Sequence, residues 1–408
     1  MLEKFTIIIP TRDRAETLAA TIKTCLRQRY ENLEIIVSDN VSSDNTKAVV
    51  EGFASPRLRY INPGHRLSMA GHFDFALGHA TEGFVMCIGS DDGVMPDAVE
   101  YASALARQHG VDAVSCRQAS YVWPNFMDQS IAGRLSFGQL RDDVEIRNSK
   151  EWIERTLNFK APYCFDLPNL YCGFVHKRVL DKAYKNGRYF NSITPDAYAA
   201  FATAISVDRY AFSHKSFVIA GASSKSNGAS AMHPVGAGEE FKKFNVENDI
   251  EFSAGYVNCP SFEIAAGEAF AKLAEMFPER CAPYKVNHAA MLKGALDNAN
   301  ERTRDAVKAA VAQMAAHFSL DLSAPVPAIP KVKRGQMGRP TLGESLHGYV
   351  AGLRTPRGIE IARSWDLGIQ DVDDAALVAH VLSQGFSADQ ITTTRSTLTK
   401  RLKRKIGL

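Results

Sequence analysis

The sequence predicts an α/β fold in which helices flank a mainly parallel sheet and a mostly helical region follows. Short apolar runs alternate with amphipathic segments of helical length through about the first 120 residues. The apolar runs lack the polar–apolar alternation of half-exposed strands, so we expect strands buried on both faces. Strands and helices that alternate in this way form βαβ units and a parallel sheet.

The predicted elements follow one another in a regular order. FTIII (5–9) predicts a first strand that Pro10 ends, and 15–29 predicts a helix because apolar side chains recur at helical spacing. Further strands are expected at 33–38, 58–61, 84–88 and 112–116, with helices from about residue 44, at 69–80 and at 96–108. Later in the chain we expect helices at 177–186 and 195–207 and a strand at 217–221.

Changes of composition predict the domain organisation. The alternation stops after residue 120, and 262–318 is helical in pattern and rich in alanine. Prolines crowd the stretch that follows, which is typical of a linker or an extended arm. We expect a first domain at 1–235 with an insertion at 121–170, a helical region at 236–322, a Pro-rich linker or arm at 323–345 and a C-terminal helical region at 346–408.

Charge and cysteine content exclude several classes of protein. The net charge is +3, but six basic residues lie within 395–405, and without them 42 basic face 45 acidic side chains. A body that is slightly acidic argues against nucleic-acid binding. The seven cysteines are odd in number and irregular in spacing, which argues for a reducing compartment. With no apolar run long enough for a signal peptide or a membrane span, we expect a cytoplasmic protein.

Polar side chains follow three of the predicted strands at the point where each strand ends. Pro10, Thr11 and Arg12 end the first strand, Asp39 and Asn40 the second, and Ser90-Asp91-Asp92 the fourth. Ligands of open parallel sheets bind beyond the carboxyl ends of the strands, so we expect one site there. The sequence has no GxGxxG after the first strand and no GxxxxGK[ST], which removes the main support for nicotinamide and P-loop nucleotide binding.

Two adjacent carboxylates, Asp91 and Asp92, follow an apolar strand in GSDDG (89–93). Like charges beside a core repel each other, unless a cation lies between them and a substrate. Mg²⁺ and Mn²⁺ bind one or two carboxylates together with substrate phosphates, which suits a diphosphate ligand. The alternative is a plain turn, since Asp and Gly both favour turns. Neither reading is excluded by these residues alone.

IIIPTRDRAETLAATIKTCLRQRYENLEIIVSDNVSSDNT (7–46) and the GSDDG motif resemble the family 2 glycosyltransferases, whose GT-A fold is Rossmann-like. The resemblance covers about 1–235 and is most specific in 1–120. It implies a nucleotide-sugar donor, with a UDP-sugar favoured, a divalent cofactor (Mn²⁺ or Mg²⁺) and inverting transfer to a hydroxyl. It also implies a role in bacterial surface polysaccharide synthesis, with a glycan or lipid-linked acceptor.

The resemblance also implies roles for individual residues. Asp92 would be a metal ligand, Asp91 would lie near the ribose or the metal, and His233 is a tentative further ligand. Ser90 departs from the family pattern, in which many members carry a third acid. The predicted donor-binding residues are Pro10, Thr11, Arg12, Asp39, Asn40, Asp91 and Gly173, with Asp39 on the base. The composition of the loop at 222–232 adds Lys225, because this hydroxyl-rich loop either closes over the diphosphate or is an exposed linker.

An inverting transfer needs a general base on the acceptor side. The resemblance implies Asp196 for this role, with Asp166 as the runner-up, although Asp in a first helical turn after Pro also simply stabilises a helix start. Gly173 fits a loop that lets the backbone approach the donor sugar, or a plain turn. Trp123, Phe126 and Trp152 suggest stacking on an acceptor sugar, although large aromatic residues are more often core.

The last 22 residues predict an amphipathic helix. SADQ (387–390) has the form of a capping box, and four apolar side chains follow on one helical face among six basic residues. Such a helix suits an anionic membrane surface, which would make the protein peripheral on the inner face of the cell membrane. A solvated or dimer-forming helix is the alternative.

Two further classes of function stay open at this stage. One is a non-catalytic protein, a degenerate transferase that binds nucleotide or glycan or serves as a scaffold. The other is a nucleotidyltransferase, which shares the sheet topology. TRDRAET (11–17) lacks the glycines usual in that loop, so we favour glycosyl transfer.

Overall fold

The computed structural model describes residues 2–137, 143–160, 163–226, 246–323, 354–355 and 358–383. Its strands in chain order are β1 (Phe5–Thr11), β2 (Leu33–Asp39), β3 (Leu58–Ile61), β4 (Phe84–Cys87), β5 (Gly93–Val94), β6 (Ala113–Cys116), β7 (Ala119–Val122), β8 (Leu135–Phe137), β9 (Val144–Asn148), β10 (Phe174–His176), β11 (Arg209–Ser213), β12 (Val218–Ala222), β13 (Arg354–Thr355) and β14 (Gly358–Ile361). Its α-helices are α1 (Ala15–Leu26), α2 (Thr46–Glu51), α3 (Met69–Leu77), α4 (Ala98–His109), α5 (Ser149–Leu157), α6 (Lys177–Leu180), α7 (Pro195–Ala204), α8 (Phe262–Met276), α9 (Pro278–Cys281), α10 (His288–Asn298), α11 (Arg304–His317) and α12 (Val372–Ser383).

The larger sheet has eight strands in the order β3-β2-β1-β4-β10-β6-β11-β9. β1 pairs in parallel with β2 and with β4, and β6 pairs in parallel with β11. β10 and β9 are antiparallel to their neighbours. The predicted α/β fold with a mainly parallel sheet is thereby confirmed, and so is the helical region beyond it.

Both faces of β1 are buried, which explains its uninterrupted apolar sequence. Ile8 belongs to the core under one face of the sheet, and Ile7 and Ile9 belong to the core under the other. Successive side chains of a strand point to opposite faces, so a strand between two layers of helices must be apolar throughout.

Pro10 does not end the first strand, contrary to the sequence-based expectation. β1 continues to Thr11, and Pro10 lies opposite Ser38 of β2. On its other side β1 pairs with β4 only as far as Ile8, opposite Cys87. The missing N–H of Pro10 therefore falls where β1 has no partner strand, and no hydrogen bond of the sheet is lost.

A second sheet has six strands in the order β13-β14-β8-β7-β12-β5. It joins residues before and after the helical region, because β14 pairs with β8 through Ile359 and Phe137. Helix α12 packs on α1 beside this sheet, and the guanidinium of Arg27 donates to Asp373 at 2.6 Å. The described part of the C-terminal region thus packs directly on the first domain.

The helical pattern at 262–318 corresponds to α8–α11. Helix α8 packs on α7 on one side and on α10 on the other, and its buried side chains, including Phe270, extend the core of the first domain. Among the described residues, no helix is both long enough and apolar enough to cross a membrane.

Candidate active site

The three predicted strand ends lie side by side at one edge of the larger sheet. β1 is flanked by β2 and β4, and Thr11 at its end is paired with Asp39. The GSDDG segment (89–93) follows β4 on the other side of β1. Thr11, Asp39, Asp91 and Asp92 are all buried. The sheet therefore brings the residues predicted from three separate motifs to one place.

Asp92 is surrounded by hydrogen-bond donors. The backbone N–H of Gly221 donates to its Oδ1 at 2.7 Å, and the backbone N–H of Gly89 and the hydroxyl of Tyr171 donate to its Oδ2 at 2.6 and 2.7 Å. Burial, followed by the charge of Asp91, raises the pKa of Asp92 to about 6. The Asp92 carboxylate thus ties together three separate segments of the chain.

Asp91 uses one oxygen to hold the loop after β12. Its Oδ2 accepts from the backbone N–H and the hydroxyl of Ser223, at 3.2 and 2.7 Å, and from the hydroxyl of Ser226. The indole N–H of Trp123 donates to the Asp91 carbonyl at 2.9 Å. The other carboxylate oxygen, Oδ1, lies 3.9 Å from Nη1 of Arg14.

The arrangement fits a divalent cation at Asp91 better than at Asp92. Both oxygens of Asp92 already accept short hydrogen bonds, whereas Asp91 Oδ1 accepts none from the described residues. Oδ1 of Asp91 is ion-paired with Arg14 at 3.9 Å, and a carboxylate oxygen without a hydrogen bond can serve Mg²⁺ or Mn²⁺ together with substrate phosphates. The sequence-based assignment gave the first place to Asp92, and the geometry favours its neighbour.

Asp39 and Asn40 hold the loops at the end of β2. The backbone N–H of Ser42 donates to Asp39 Oδ1 at 3.0 Å, and the hydroxyl of Tyr60 donates to Oδ2 at 2.6 Å. The side-chain amide of Asn40 pairs with both the carbonyl and the N–H of Leu67, at 2.9 and 3.0 Å. The floor of the predicted base pocket is therefore rigid before any ligand arrives.

The side chains of Thr11 and Arg12 differ in whether they have a hydrogen-bond or ion-pair partner. The carbonyl of Thr11 accepts from the N–H of Asn40 at 2.9 Å, but its buried Oγ1 has no hydrogen-bond partner among the described residues. The guanidinium of Arg12 pairs with the carboxylate of Glu247. A nucleotide that used Arg12 would have to compete with Glu247 for it.

Lys225 lies against the loop that follows β1. Its ammonium donates to the carbonyl of Asp13 at 2.7 Å, and the guanidinium of Arg14 donates to the carbonyl of Lys225. These two contacts fasten the loop after β12 across the strand ends. The rest of the predicted closing loop, 227–232, lies outside the described residues, as do His233 and the tail at 387–408.

Asp196 lies in the first turn of α7, directly after Pro195. The hydroxyl of Tyr163 donates to its Oδ2 at 3.1 Å. Burial raises the pKa of Asp196, and the hydrogen bond from Tyr163 partly opposes that rise. A carboxylate with a raised pKa and one positioned donor is suited to taking up a proton.

Cys172 is close to Asp92 and within electrostatic reach of Asp196. Its Sγ is 3.9 Å from Asp92 Oδ2, and the charges of both Asp92 and Asp196 add to burial in raising the pKa of its thiol. Its φ of +61° is uncommon for a residue with a side chain, and such backbone conformations cluster at functional sites. The predicted base is therefore near enough to the predicted metal residues for its charge to act on the same thiol.

Gly173, beside Cys172, has an internal packing reason to be glycine. A Cβ at this position would lie 2.3 Å from the carbonyl oxygen of Asn169 and 2.9 Å from the hydroxyl of Ser115. This close approach accounts for the glycine by itself, and contact of Gly173 with a donor sugar stays a prediction.

Several residues of this site were missed from the sequence. Tyr171, Gly221 and Ser223 hold the two aspartates, yet they lie far from GSDDG in sequence. For Trp123 the sequence left open stacking on an acceptor sugar or a core position, and this side chain is buried and donates to the Asp91 backbone. Phe126 is buried as well, so neither of these two aromatic residues offers a face to a ligand.

Asp166 serves an ion-pair network and not the cleft. Its Oδ1 accepts from Arg117 at 2.8 Å and from the buried Arg147 at 3.0 Å. The guanidinium carbon of Arg147 lies between the rings of Trp152 and Phe212, 3.7 and 3.4 Å from their centroids. A carboxylate shared by two guanidiniums is a poor general base, which leaves Asp196 as the candidate.

A separate acidic cluster lies at the outer strands of the larger sheet. Ligand atoms of Asp143, Glu145 and His214 lie within 4.8 Å of one another. Glu145 already pairs with His214 at 2.7 Å and with Arg147 at 2.8 Å. Ion pairing accounts for this cluster, which is three strands away from β4 in the sheet order.

Residues 6–159 match the family model described as Glycosyl transferase family 2. A curated relative from Escherichia coli, UDP-Glc:alpha-D-GlcNAc-diphosphoundecaprenol beta-1,3-glucosyltransferase WfgD, is 34% identical over 180 residues, 42% of this chain and 64% of that protein. The GalNAc(5)-diNAcBac-PP-undecaprenol beta-1,3-glucosyltransferase of Campylobacter jejuni is 34% identical over 24% of this chain and 33% of its own length. Succinoglycan biosynthesis protein ExoO of Rhizobium meliloti is 30% identical over 26% and 32%. This chain thus spans less than two thirds of each of these relatives.

Solved structures of similar shape include TarS 1-349 of S. aureus in complex with UDP-GlcNAc, at 15% identity and a TM-score of 0.45 over 80% of this chain and 95% of that one. Another is the mannosyltransferase PcManGT of Pyrobaculum calidifontis in complex with GDP-Man and Mn2+, at 16% identity and a TM-score of 0.40 over 78% and 87%.

The sheet order and the carboxylates at the strand ends agree with the matched region. Residues 6–159 are therefore similar to glycosyl transferase family 2.

Proposed function

We propose that this protein is an inverting glycosyltransferase that moves a sugar from a nucleotide-diphosphate sugar to a hydroxyl of a glycan or lipid-linked acceptor. The observation that carries the proposal is the group of buried side chains Thr11, Asp39, Asp91 and Asp92 at the ends of three neighbouring strands. It supports a site for a metal and a diphosphate there, and the charge of Asp196 reaches Cys172, which contacts Asp92. An inverting displacement needs such a site and a base in one cleft.

The relatives support the finer part of the proposal. The E. coli relative is named for a UDP-Glc donor and a diphosphoundecaprenol-linked acceptor, and the C. jejuni relative for a PP-undecaprenol-linked acceptor. The R. meliloti relative is named for succinoglycan biosynthesis. We therefore favour a UDP-sugar donor, a lipid-linked acceptor and a role in surface polysaccharide synthesis.

On the donor side, Asp91 offers Oδ1, which lies 3.9 Å from Arg14, for Mn²⁺ or Mg²⁺ and uses its other oxygen to hold Ser223. A divalent cation there would neutralise charge on the leaving diphosphate. Lys225 lies at the same strand ends and contributes a further positive charge. The rigid Asp39 floor suits the base of the nucleotide.

On the acceptor side, Asp196 takes the proton from the attacking hydroxyl as the new glycosidic bond forms. Its raised pKa brings it closer to the neutral range in which a carboxylate base works best. The Tyr163 hydroxyl donates to Oδ2 of this carboxylate and positions it. A single base on the face opposite the leaving diphosphate gives inversion.

Nucleotide binding is the first test. Thermal melts of the full chain with UDP, GDP, CDP or dTDP, each with and without Mn²⁺, separate the donor classes. A ligand at a hundred times its Kd stabilises the fold by about 2.7 kcal/mol. We expect a Mn²⁺-dependent shift with UDP that is lost in Asp91→Asn and kept in Asp208→Asn, a control at an exposed position.

Transfer is the second test. We expect sugar transfer from UDP-glucose to GlcNAc-diphospholipid, with inversion at the anomeric carbon measured by NMR of the product. Asp196→Asn is expected to lower the rate of transfer at least a hundredfold with nucleotide binding intact. Nucleotide binding without transfer or donor hydrolysis in any donor–acceptor pair would favour the non-catalytic alternative. Release of diphosphate from a nucleoside triphosphate and a sugar phosphate would favour the nucleotidyltransferase.

The predicted tail helix at 387–408 supports a peripheral position on an anionic membrane, next to a lipid-linked acceptor. Removing residues 387–408 should abolish co-sedimentation with vesicles that contain phosphatidylglycerol and leave nucleotide binding unchanged. Unchanged co-sedimentation would contradict the membrane role of the tail.

A further inference from the structure

Three aromatic side chains form one surface beside the candidate base. The ring of Tyr163 lies 5.3 Å from that of Phe165 and 5.2 Å from that of Phe262, centroid to centroid. Phe165 is 43% exposed and Phe262 is 42% exposed, which is unusual for residues of this size. We call these three residues the aromatic surface.

The aromatic surface is joined to the base by a hydrogen bond. The hydroxyl of Tyr163 donates to Asp196 Oδ2 at 3.1 Å. Tyr163 itself has a φ of +46°, a conformation that costs free energy for a residue with a Cβ. The chain therefore holds this ring in place against a local preference, with its hydroxyl on the base.

The two exposed rings come from separate parts of the chain. Phe262 is the first residue of α8, and the N-cap side chain of Ser261 accepts from the N–H of Ile264, which fixes the start of that helix. Phe165 lies in the loop between α5 and β10. Tyr163 lies between them, so the helical region and the first domain both contribute to the surface.

We propose that Tyr163, Phe165 and Phe262 bind the acceptor sugar, with the apolar face of its pyranose ring on the exposed rings and its attacking hydroxyl at Asp196. The proposal rests on the proposed function and adds the acceptor subsite to it. A pyranose has an apolar C–H face and polar hydroxyls at its rim. It therefore matches apolar rings that are bordered by a hydrogen-bonded carboxylate.

The size and chemistry of the surface favour a sugar over a larger apolar partner. Protein and membrane contacts use apolar patches of several hundred Å². Two partly exposed rings form a much smaller patch, and the Tyr163–Asp196 pair borders it with polar groups. A lipid chain has no polar group that could form a hydrogen bond with the Tyr163–Asp196 pair, whereas a sugar hydroxyl could form one.

Direct binding tests the proposal with defined probes. The probes are methyl β-glycosides of glucose, N-acetylglucosamine and N-acetylgalactosamine, added to the full chain with UDP and the diamagnetic cation Mg²⁺ and observed by saturation-transfer NMR. We expect at least one glycoside to bind the wild type, with the strongest saturation on the protons of one ring face. Phe165→Ala and Phe262→Ala should each weaken its binding about tenfold, and Phe262→Trp should restore a stacking face.

Controls separate this proposal from the proposed function and from misfolding. Leu296→Ala, on α10, removes another partly exposed apolar side chain and should leave glycoside binding unchanged. UDP binding should be equal in all variants. Two results would contradict the proposal that the aromatic surface binds the acceptor sugar. One is undiminished glycoside binding in both Phe→Ala variants, and the other is no binding of any probe to the wild type. Loss of UDP binding in the wild type with glycoside binding intact would instead overturn the proposed donor.

Discussion

The hydroxyl of Tyr171 donates a hydrogen bond to Oδ2 of Asp92 at 2.7 Å, across 79 positions of sequence. Asp92 is buried and Tyr171 is half-buried, and proximity to the Asp92 charge adds to burial in raising the pKa of Tyr171. The bond thus holds the tyrosine neutral as a donor and helps the carboxylate to remain charged inside the protein. It joins the loop after β4 to the loop before β10, where Cys172 and Gly173 lie.

Tyr171→Phe should destabilise the fold. The substitution removes one of the donors to a buried carboxylate, and such a loss costs about 1–3 kcal/mol. Urea denaturation at pH 7.5 measures it. Tyr284→Phe is the matched control, because the Tyr284 hydroxyl has no recorded partner among the described residues, and it should change the free energy of unfolding by less than about 0.5 kcal/mol. Equal effects of the two variants would contradict a specific role for the Tyr171–Asp92 bond.

Asp91→Asn should stabilise the metal-free protein at neutral pH while abolishing its metal response. Burial and the Asp91 charge raise the pKa of Asp92 from 3.8 to about 6, so the folded state keeps this proton to a higher pH than the unfolded state does. The resulting stabilisation is full below about pH 4 and is lost as the pH rises through 6. Removing the neighbouring charge lowers the pKa of Asp92 and returns about 1 kcal/mol at pH 7.5.

The measurement is the difference in unfolding free energy between Asp91→Asn and wild type at pH 4.5 and at pH 7.5. The difference should favour the variant more at pH 7.5. Mn²⁺ with UDP should raise the melting temperature of the wild type alone. A variant that is less stable than wild type at pH 7.5 would mean that the bonds to Ser223 and Ser226 outweigh the repulsion.

Gly221→Ala should disrupt the site through the backbone. A Cβ at Gly221 would lie 1.8 Å from the carbonyl oxygen of Asp91, so the two segments must move apart. The shift would also break the bond from the Gly221 N–H to Asp92. We expect a loss of at least about 2 kcal/mol of stability and no nucleotide-dependent thermal shift.

Gly78→Ala is its control, since a Cβ there meets only ordinary contacts at 3.4 and 3.5 Å. It should be neutral or slightly stabilising, because alanine lowers the entropy of the unfolded chain. Full nucleotide binding by Gly221→Ala would show that the close approach to Asp91 is dispensable.

The sequence was sufficient for the sheet and for the acids at its edge, because both depend on local pattern. Apolar runs predicted β1, β2 and β4, and the loops that follow parallel strands must lie at one edge. The sequence could not show which groups donate hydrogen bonds to each carboxylate. Gly221, for example, lies 129 residues from Asp92, and no short-range pattern links the two.

The second sheet was missed for a similar reason. β14 is a four-residue strand, Gly358–Ile361, that pairs with β8 more than 200 residues earlier in the chain. A strand of that length carries too few positions for a clear period. The sequence could not decide between the two alternatives for Trp123, because no local pattern in an irregular stretch distinguishes an exposed aromatic side chain from one that is packed on a backbone carbonyl.

Transfer should fail at low pH in a way that depends on Tyr163. Asp196 must be ionised to accept a proton, and burial raises its pKa, so the rate of transfer should fall as the pH drops through that raised value. The Tyr163 hydroxyl lowers this pKa by donating to the ionised form. In Tyr163→Phe the carboxylate loses that donor, and the acidic limb of the kcat profile should move to higher pH.

The profile of kcat against pH for wild type, Tyr163→Phe and Tyr210→Phe measures the effect. Tyr210 is buried near Asp166, outside the cleft. Tyr210→Phe should therefore not shift the acidic limb of the kcat profile. The direction of the shift is decisive, because a merely structural role of Tyr163 would lower the rate at every pH without moving the limb. If the acidic limb moved to lower pH or did not move, Tyr163 would not act on the general base. That result would contradict the assignment of Asp196 as the base.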